Sequence, residues 1–380
     1  MKVYSKKIGL WSAIPFWLSL IFVPSLAFAL YLGGWWLLAF PVFVWTVYSI
    51  LDILVGLDTE NADPQTSDDR LFWYKLITLV WPPIQFVVIF GSIALATYWL
   101  EFTWWEKIFL MLGVGFATGT VGINYAHELM HQKNRLERIL SDFLLAMVLY
   151  SHFRSEHLLV HHLYVGTPRD PVTARYNEGF YRFFPRVLVG CLVSAWRADK
   201  AMLARRDLPY WYYKNPFYEY AALQSAMLFL AYAIGGWAGI GMFVLQAFVA
   251  VWQLEAVNYV EHYGLTRKHF GEGKYEYVRP LHSWNAAHRV SNWLLINLQR
   301  HSDHHYRPNR RFPLLQNYDK ADAPQLPYGY PTMILLAMFP RKFRRIMNPR
   351  VRQWRSMYYP EISNWDKYRQ ATNPIPKGAS

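Results

Sequence analysis

Apolar residues run along this chain in stretches long enough to measure against a bilayer. Six segments approach the roughly 20 residues that carry a helix across a hydrocarbon core: 10–32, 35–54, 76–100, 108–126, 221–237 and 241–260. Gly33 and Gly34 divide the first two, a hairpin signal, and little more than 238–240 divides the last two. Polarity rises in 127–217 and 261–380, which the pattern predicts as a cap on one integrated membrane domain covering 1–380. Residues 138–153 predict a further apolar helix on or dipping into the membrane. Residues 187–203 mix apolar positions with Arg197 and Lys200, as an interfacial helix does, and 330–339 is too short to span. The expected fold class is an all-α integral membrane protein with six transmembrane helices.

Composition agrees. The chain is 53% hydrophobic and 17% charged, against about 25% charged in a typical soluble domain. Eighteen Trp and twenty-seven Tyr suit two interfacial belts. A single cysteine, Cys191, excludes an internal disulfide. It also excludes an iron–sulfur or rubredoxin-type centre, which needs about four thiolates. Any electrons the chain uses come from outside.

Charge orients the spans. Thirty-three of the thirty-nine Lys and Arg lie after Ala126, outside the last two spans. The connections on the opposite side carry only Lys107. Positive-inside logic therefore places the termini and the cap in the cytoplasm. The loop 58–69 is acidic and is the one exception, although acidic residues weigh little in that rule. Ala27 and Ala29 also fit a signal-peptide cleavage site. That reading leaves five spans and breaks the charge pattern, so the first segment reads as a span.

Histidine supplies the chemistry. Nine of the thirteen cluster: His127 and His131; His157, His161 and His162; His262; His301, His304 and His305. His at i and i+4, and nearly so at i and i+3, share one face of a helix. Neutral imidazoles suit iron, zinc, copper or nickel, and nine are too many for one ion but suit two. Glu128, Glu156, Glu261 and Asp303 stand beside the clusters. They are expected to orient the rings, because a ligating imidazole usually donates its other N–H to such a group. His152, His269, His282 and His288 stay outside the predicted site.

The pattern His-x3-His, His-x3-His-His, His-x2-His-His resembles the membrane-bound non-haem diiron superfamily of desaturases and hydroxylases. Residues 258–265 (NYVEHYGL) and 298–305 (LQRHSDHH), with 282–285 and 167–171, are similar to segments of its alkane 1-monooxygenase family. The resemblance implies six helices under a cytoplasmic cap, with the nine histidines holding two non-haem iron ions. It implies insertion of one atom of O2, the co-substrate, into the terminal C–H bond of an n-alkane to give a 1-alkanol. Electrons would come from a rubredoxin and its reductase, and the setting would be a bacterial inner membrane. A lipid bilayer and a lipophilic hydrocarbon are the remaining partners, and no nucleic acid is expected. The alternatives are an aromatic-methyl hydroxylase of the xylene type, or a fatty-acid hydroxylase or desaturase. Val160 and Met130 replace glycines usual in the family, and Val160 is expected to reshape the pocket floor. Trp45, Trp252 and Phe248 are candidate channel walls by position.

Overall fold

The computed structural model describes residues 4–365, so Lys2 and the end of the expected cap, 366–380, lie outside the described residues. The architecture is helical, with one two-stranded hairpin, His269–Gly271 and Lys274–Tyr275, among the described residues. Among the described residues, five helices are long and apolar enough to cross a membrane: Leu10–Leu32, Trp36–Val55, Asp68–Trp99, Trp104–Met130 and Pro216–His262. The third begins eight residues before its expected start, and the fourth continues past 126, so His127 is helical.

The last of these replaces the two spans expected at 221–237 and 241–260. Its 47 residues would run about 70 Å if straight, more than twice the roughly 30 Å of a hydrocarbon core. It is not straight. Gly236 has φ 57° and ψ −145°, a backbone state that glycine adopts without steric cost. The helix doubles back there, since a Cβ placed on Gly239 would lie 2.1 Å from the Ala231 carbonyl oxygen. The reversal is a single residue, not the loop 238–240.

The second arm of this hairpin packs along Trp104–Met130. Lipid tails are as apolar as Leu, so helices in a bilayer associate through close packing and hydrogen bonds. A stripe of small residues allows the approach. A Cβ on Gly115 would stand 2.6 Å from the Gln246 carbonyl oxygen, and one on Gly119 would stand 2.4 Å from Gln253 Nε2. Buried amides complete the seam: Gln246 Oε1 accepts from the Thr118 hydroxyl (3.0 Å), and Gln253 Nε2 donates to the Gly115 carbonyl (3.0 Å).

The cap is built from amphipathic helices. Arg135–Ala146 starts at Asn134, whose side chain accepts from the N–H groups of Leu136 and Glu137. Phe180–Ala204, longer than the expected 187–203, buries Phe183, Val187, Cys191 and Ala195 at four-residue intervals. Pro340–Tyr358 buries Phe343, Met347, Val351, Trp354 and Arg355 and leaves Arg341, Arg345 and Arg352 exposed. The acidic loop lies against this cap. Asp58 pairs with Lys6 and with Arg300 (3.4 Å), and Asp68 pairs with Arg311 (3.1 Å). Its negative charge therefore meets basic residues on the cap's own side of the helices.

Candidate metal centre

Four helix ends deliver the nine imidazoles. His127 and His131 close the fourth long helix, and His262 is the last residue of the hairpin helix. His301, His304 and His305 lie on the short helix His301–Tyr306. His157, His161 and His162 occupy a π turn, His157–His161, and the residue after it. A π turn brings residue i+5 into register with residue i, and such turns recur at functional sites. Hence Nε2 of His157 faces Nε2 of His162 at 2.9 Å, while His161 points elsewhere.

The rings sort into two groups. Donor atoms of His127, His131, His157, His162 and His304 lie within 4.8 Å of one another, as do those of His161, His262, His301 and His305. The division differs from simple helix-face spacing: His157 and His161 separate, and so do His301 and His304. The groups adjoin, with the rings of His162 and His305 4.7 Å apart between centroids.

The geometry fits metal ions. Nε2 pairs stand at 3.0 Å (His157 and His131), 3.1 Å (His304 and His162) and 3.0 Å (His305 and His301). Nitrogens about 2.1 Å from one ion and at right angles around it are about 3 Å apart. Nε2 of His127 and of His161 is buried with no hydrogen-bond partner in the protein, an arrangement that a cation satisfies. Burial, with neighbouring imidazoles adding to it, holds His157, His162, His301, His304 and His305 well below the ordinary pKa. These rings are neutral and offer lone pairs.

The four expected orienting carboxylates fare differently. Glu261 contacts a ligand-type ring, its Oε2 3.2 Å from His301 Nε2. Glu128 accepts from Gln132 (3.1 Å). Asp303 accepts from Tyr318 (2.7 Å) and the Gln316 N–H (2.9 Å), and pairs with Arg310. Neither Glu128 nor Asp303 has a histidine among these partners. Both oxygens of Glu156 are buried without a protein hydrogen bond. Burial, then Asp170 and Glu255, pushes its carboxyl well above the usual range. The residue that sequence reading missed is Asp170, whose Oδ2 stands 3.0 Å from His161 Nδ1 and accepts from Thr173 (2.6 Å). Its only signal was membership of the 167–171 segment.

The remaining histidines have other partners. His282 meets Tyr359 (2.8 Å) and Glu276 (3.2 Å), and His269 accepts from the Gly273 N–H. The ring of His152 packs on Tyr150, and His288 lies beside Gly329.

A mostly apolar cavity ends on this centre. His127, His157, His301 and Glu261 form its polar end, and Leu254, Val257, Leu294, Leu298 and Ile334 line its sides. Trp45 and Phe116 line it too, their rings 5.8 Å apart. Trp252 and Phe248 do not. They pack on Phe180 (6.0 Å) and Phe184 (6.0 Å). Val160 and Met130 are buried away from the cavity wall, so neither shapes its floor.

Fold and site together define a class: a multi-pass helical membrane protein with two histidine groups able to hold metal ions at the end of an apolar cavity. Residues 102–337 match the fatty acid desaturase family. The chain is 35% identical to alkane 1-monooxygenase 1 of Pseudomonas aeruginosa over 348 residues, 89% of this chain and 91% of that one. It is 34% identical to alkane 1-monooxygenase of Pseudomonas putida, covering 81% and 76%. The xylene/toluene monooxygenase hydroxylase component of Pseudomonas putida is 29% identical over 65% of each chain. The chain therefore belongs to the alkane 1-monooxygenase family and is an oxidoreductase of the monooxygenase type.

Proposed function

We propose that this protein hydroxylates the terminal carbon of n-alkanes, with the nine histidines as ligands to two iron ions, five to one and four to the other. The observation that carries this reading is the cavity. Apolar side chains form most of its wall, and it reaches His127 and His157 of one group and His301 of the other. A hydrocarbon held there presents one end to both metal positions.

When bound, the iron pair supplies what an inert C–H bond demands, activation of O2 with one oxygen entering the product and the other leaving as water. The chain's own residues do the rest. Neutral imidazoles would hold the ions, and Asp170 fixes the orientation of His161 through Nδ1. The leucine, valine and isoleucine walls exclude water and align the substrate along the cavity. With Cys191 alone, the chain cannot house the iron–sulfur or rubredoxin centre that would deliver electrons. We assign that role to a rubredoxin and its reductase.

The same reading gives the chain six crossings as one integrated domain, the hairpin at Gly236 separating the last two. The basic cap and the metal centre then face the cytoplasm of a bacterial inner membrane, as the Lys and Arg distribution favours. The likeness to the xylene/toluene enzyme supports one second reading, hydroxylation of aromatic methyl groups.

Turnover with labelled O2 tests both readings. The purified protein in nanodiscs receives rubredoxin, its reductase, and a mixture of n-octane, n-dodecane and p-xylene. About two irons per chain and labelled 1-alkanol are expected. Labelled benzylic alcohol alone would select the aromatic reading, while zinc in place of iron, or no labelled product, would reject both.

A further inference from the structure

Two carboxylates approach the metal-site imidazoles from opposite sides. Asp170 meets His161 at Nδ1, the ring atom turned away from the centre, and leaves Nε2 buried and unpartnered. That is the usual arrangement of a carboxylate behind a metal-bound histidine. Glu261 does the reverse. Its Oε2 lies 3.2 Å from Nε2 of His301, the atom that also faces His262 at 3.2 Å and His305 at 3.0 Å. The rear atom, Nδ1 of His301, is buried without a partner.

Around His301 Nε2, then, three electron-rich atoms converge, two imidazole nitrogens and one carboxylate oxygen. A ring nitrogen carries at most one proton, which cannot serve three acceptors at once. A shared cation can. The second oxygen of Glu261 is already committed, because the Tyr330 hydroxyl donates to Oε1 at 2.7 Å. This bond turns Oε2 toward His301. Glu261 is 1% exposed and lines the apolar cavity, so only the metal centre gives its charge a counter-ion on that side.

We propose that Glu261 is itself a donor to the ion of the four-histidine group, with Tyr330 as the residue that positions it. The inference rests on the metal-centre reading above. It brings that group to five donors, matching the five imidazoles of its neighbour. It also makes the two ions chemically distinct, one bound by nitrogen alone and the other by nitrogen and a hard carboxylate oxygen. Glu261 also lines the apolar cavity, so the carboxylate would stand beside bound hydrocarbon.

The test uses the full-length protein in nanodiscs, loaded with isotopically enriched iron and read by iron content, Mössbauer spectroscopy and X-ray absorption. Wild type is expected to hold two irons with two distinct signals. Glu261→Ala should retain about one iron and lose one signal. Glu261→Gln, which keeps the side-chain shape, should weaken one ion at least about ten-fold and shift only its signal. Tyr330→Phe should keep both irons and shift that same signal by less. If Glu261→Ala is misfolded by circular dichroism, Glu261→Gln decides alone. Two irons bound with wild-type affinity and unchanged signals in Glu261→Gln would overturn the proposal. Wild type taking up no iron would sink the metal reading and this inference with it, whereas a two-iron wild type confines any failure to Glu261.

Discussion

The imidazole of His161 is held from behind by a carboxylate nine residues away in sequence. Asp170 bonds Nδ1, and the Thr173 hydroxyl and Val172 N–H fix Asp170 in turn. Loss of such a partner commonly costs about 10–100-fold in metal affinity. Asp170→Asn should therefore weaken iron retention by about that factor in a chelator competition, with the helical content unchanged. Retention equal to wild type would mean that His161 is oriented by packing alone. Sequence reading picked out the nine histidines that the fold gathers into two groups, because ligand chemistry restricts residue type. It placed the carboxylates less well, because adjacency along the chain is a poor guide to which oxygen meets which ring. Asp303 sits between two metal-site histidines in sequence, yet bonds Arg310 and Tyr318.

Among the elements, the π turn at His157–His161 and the reversal at Gly236 decide most. The turn adds one residue to the helical register, which sends His157 and His162 to one group and His161 to the other. An α-helical reading of the same residues pairs His157 with His161 instead. The seam between Trp104–Met130 and the hairpin helix depends on missing side chains. A methyl on Gly115 would lie 2.6 Å from both the Gln246 carbonyl oxygen and Val249 Cβ, and backbone cannot rotate away as a side chain can. Gly115→Ala should cost about 1–3 kcal/mol, the usual range for overpacking. A thermal unfolding series in detergent checks it, and an unchanged midpoint would show that the helices separate there without strain.

For the molecule as a whole, the cavity links the bilayer-side helices to the metal centre. Phe116 lies eleven residues before His127 on one helix, about 16 Å along its axis. Trp45 packs tilted against Phe116, so this aromatic pair bounds the cavity away from the histidines. Trp45→Ala should shift the product profile toward longer alkanes when a C8–C16 mixture is offered. Trp252→Ala, outside the cavity, should leave that profile alone. A shift with Trp252 and none with Trp45 would place the substrate route on the other side of the hairpin helix. By itself the sequence determined the apolar spans, the basic asymmetry, the dearth of cysteine and the set of nine imidazoles. Each of these is fixed by residue type and local spacing, which a chain carries without folding. Tertiary structure decided which imidazoles stand together, that Asp170 meets His161 and Tyr330 meets Glu261, and that Trp45 but not Trp252 lines the cavity. Those facts depend on helix register and on contacts between residues as far apart as Glu261 and Tyr330, which only packing brings together.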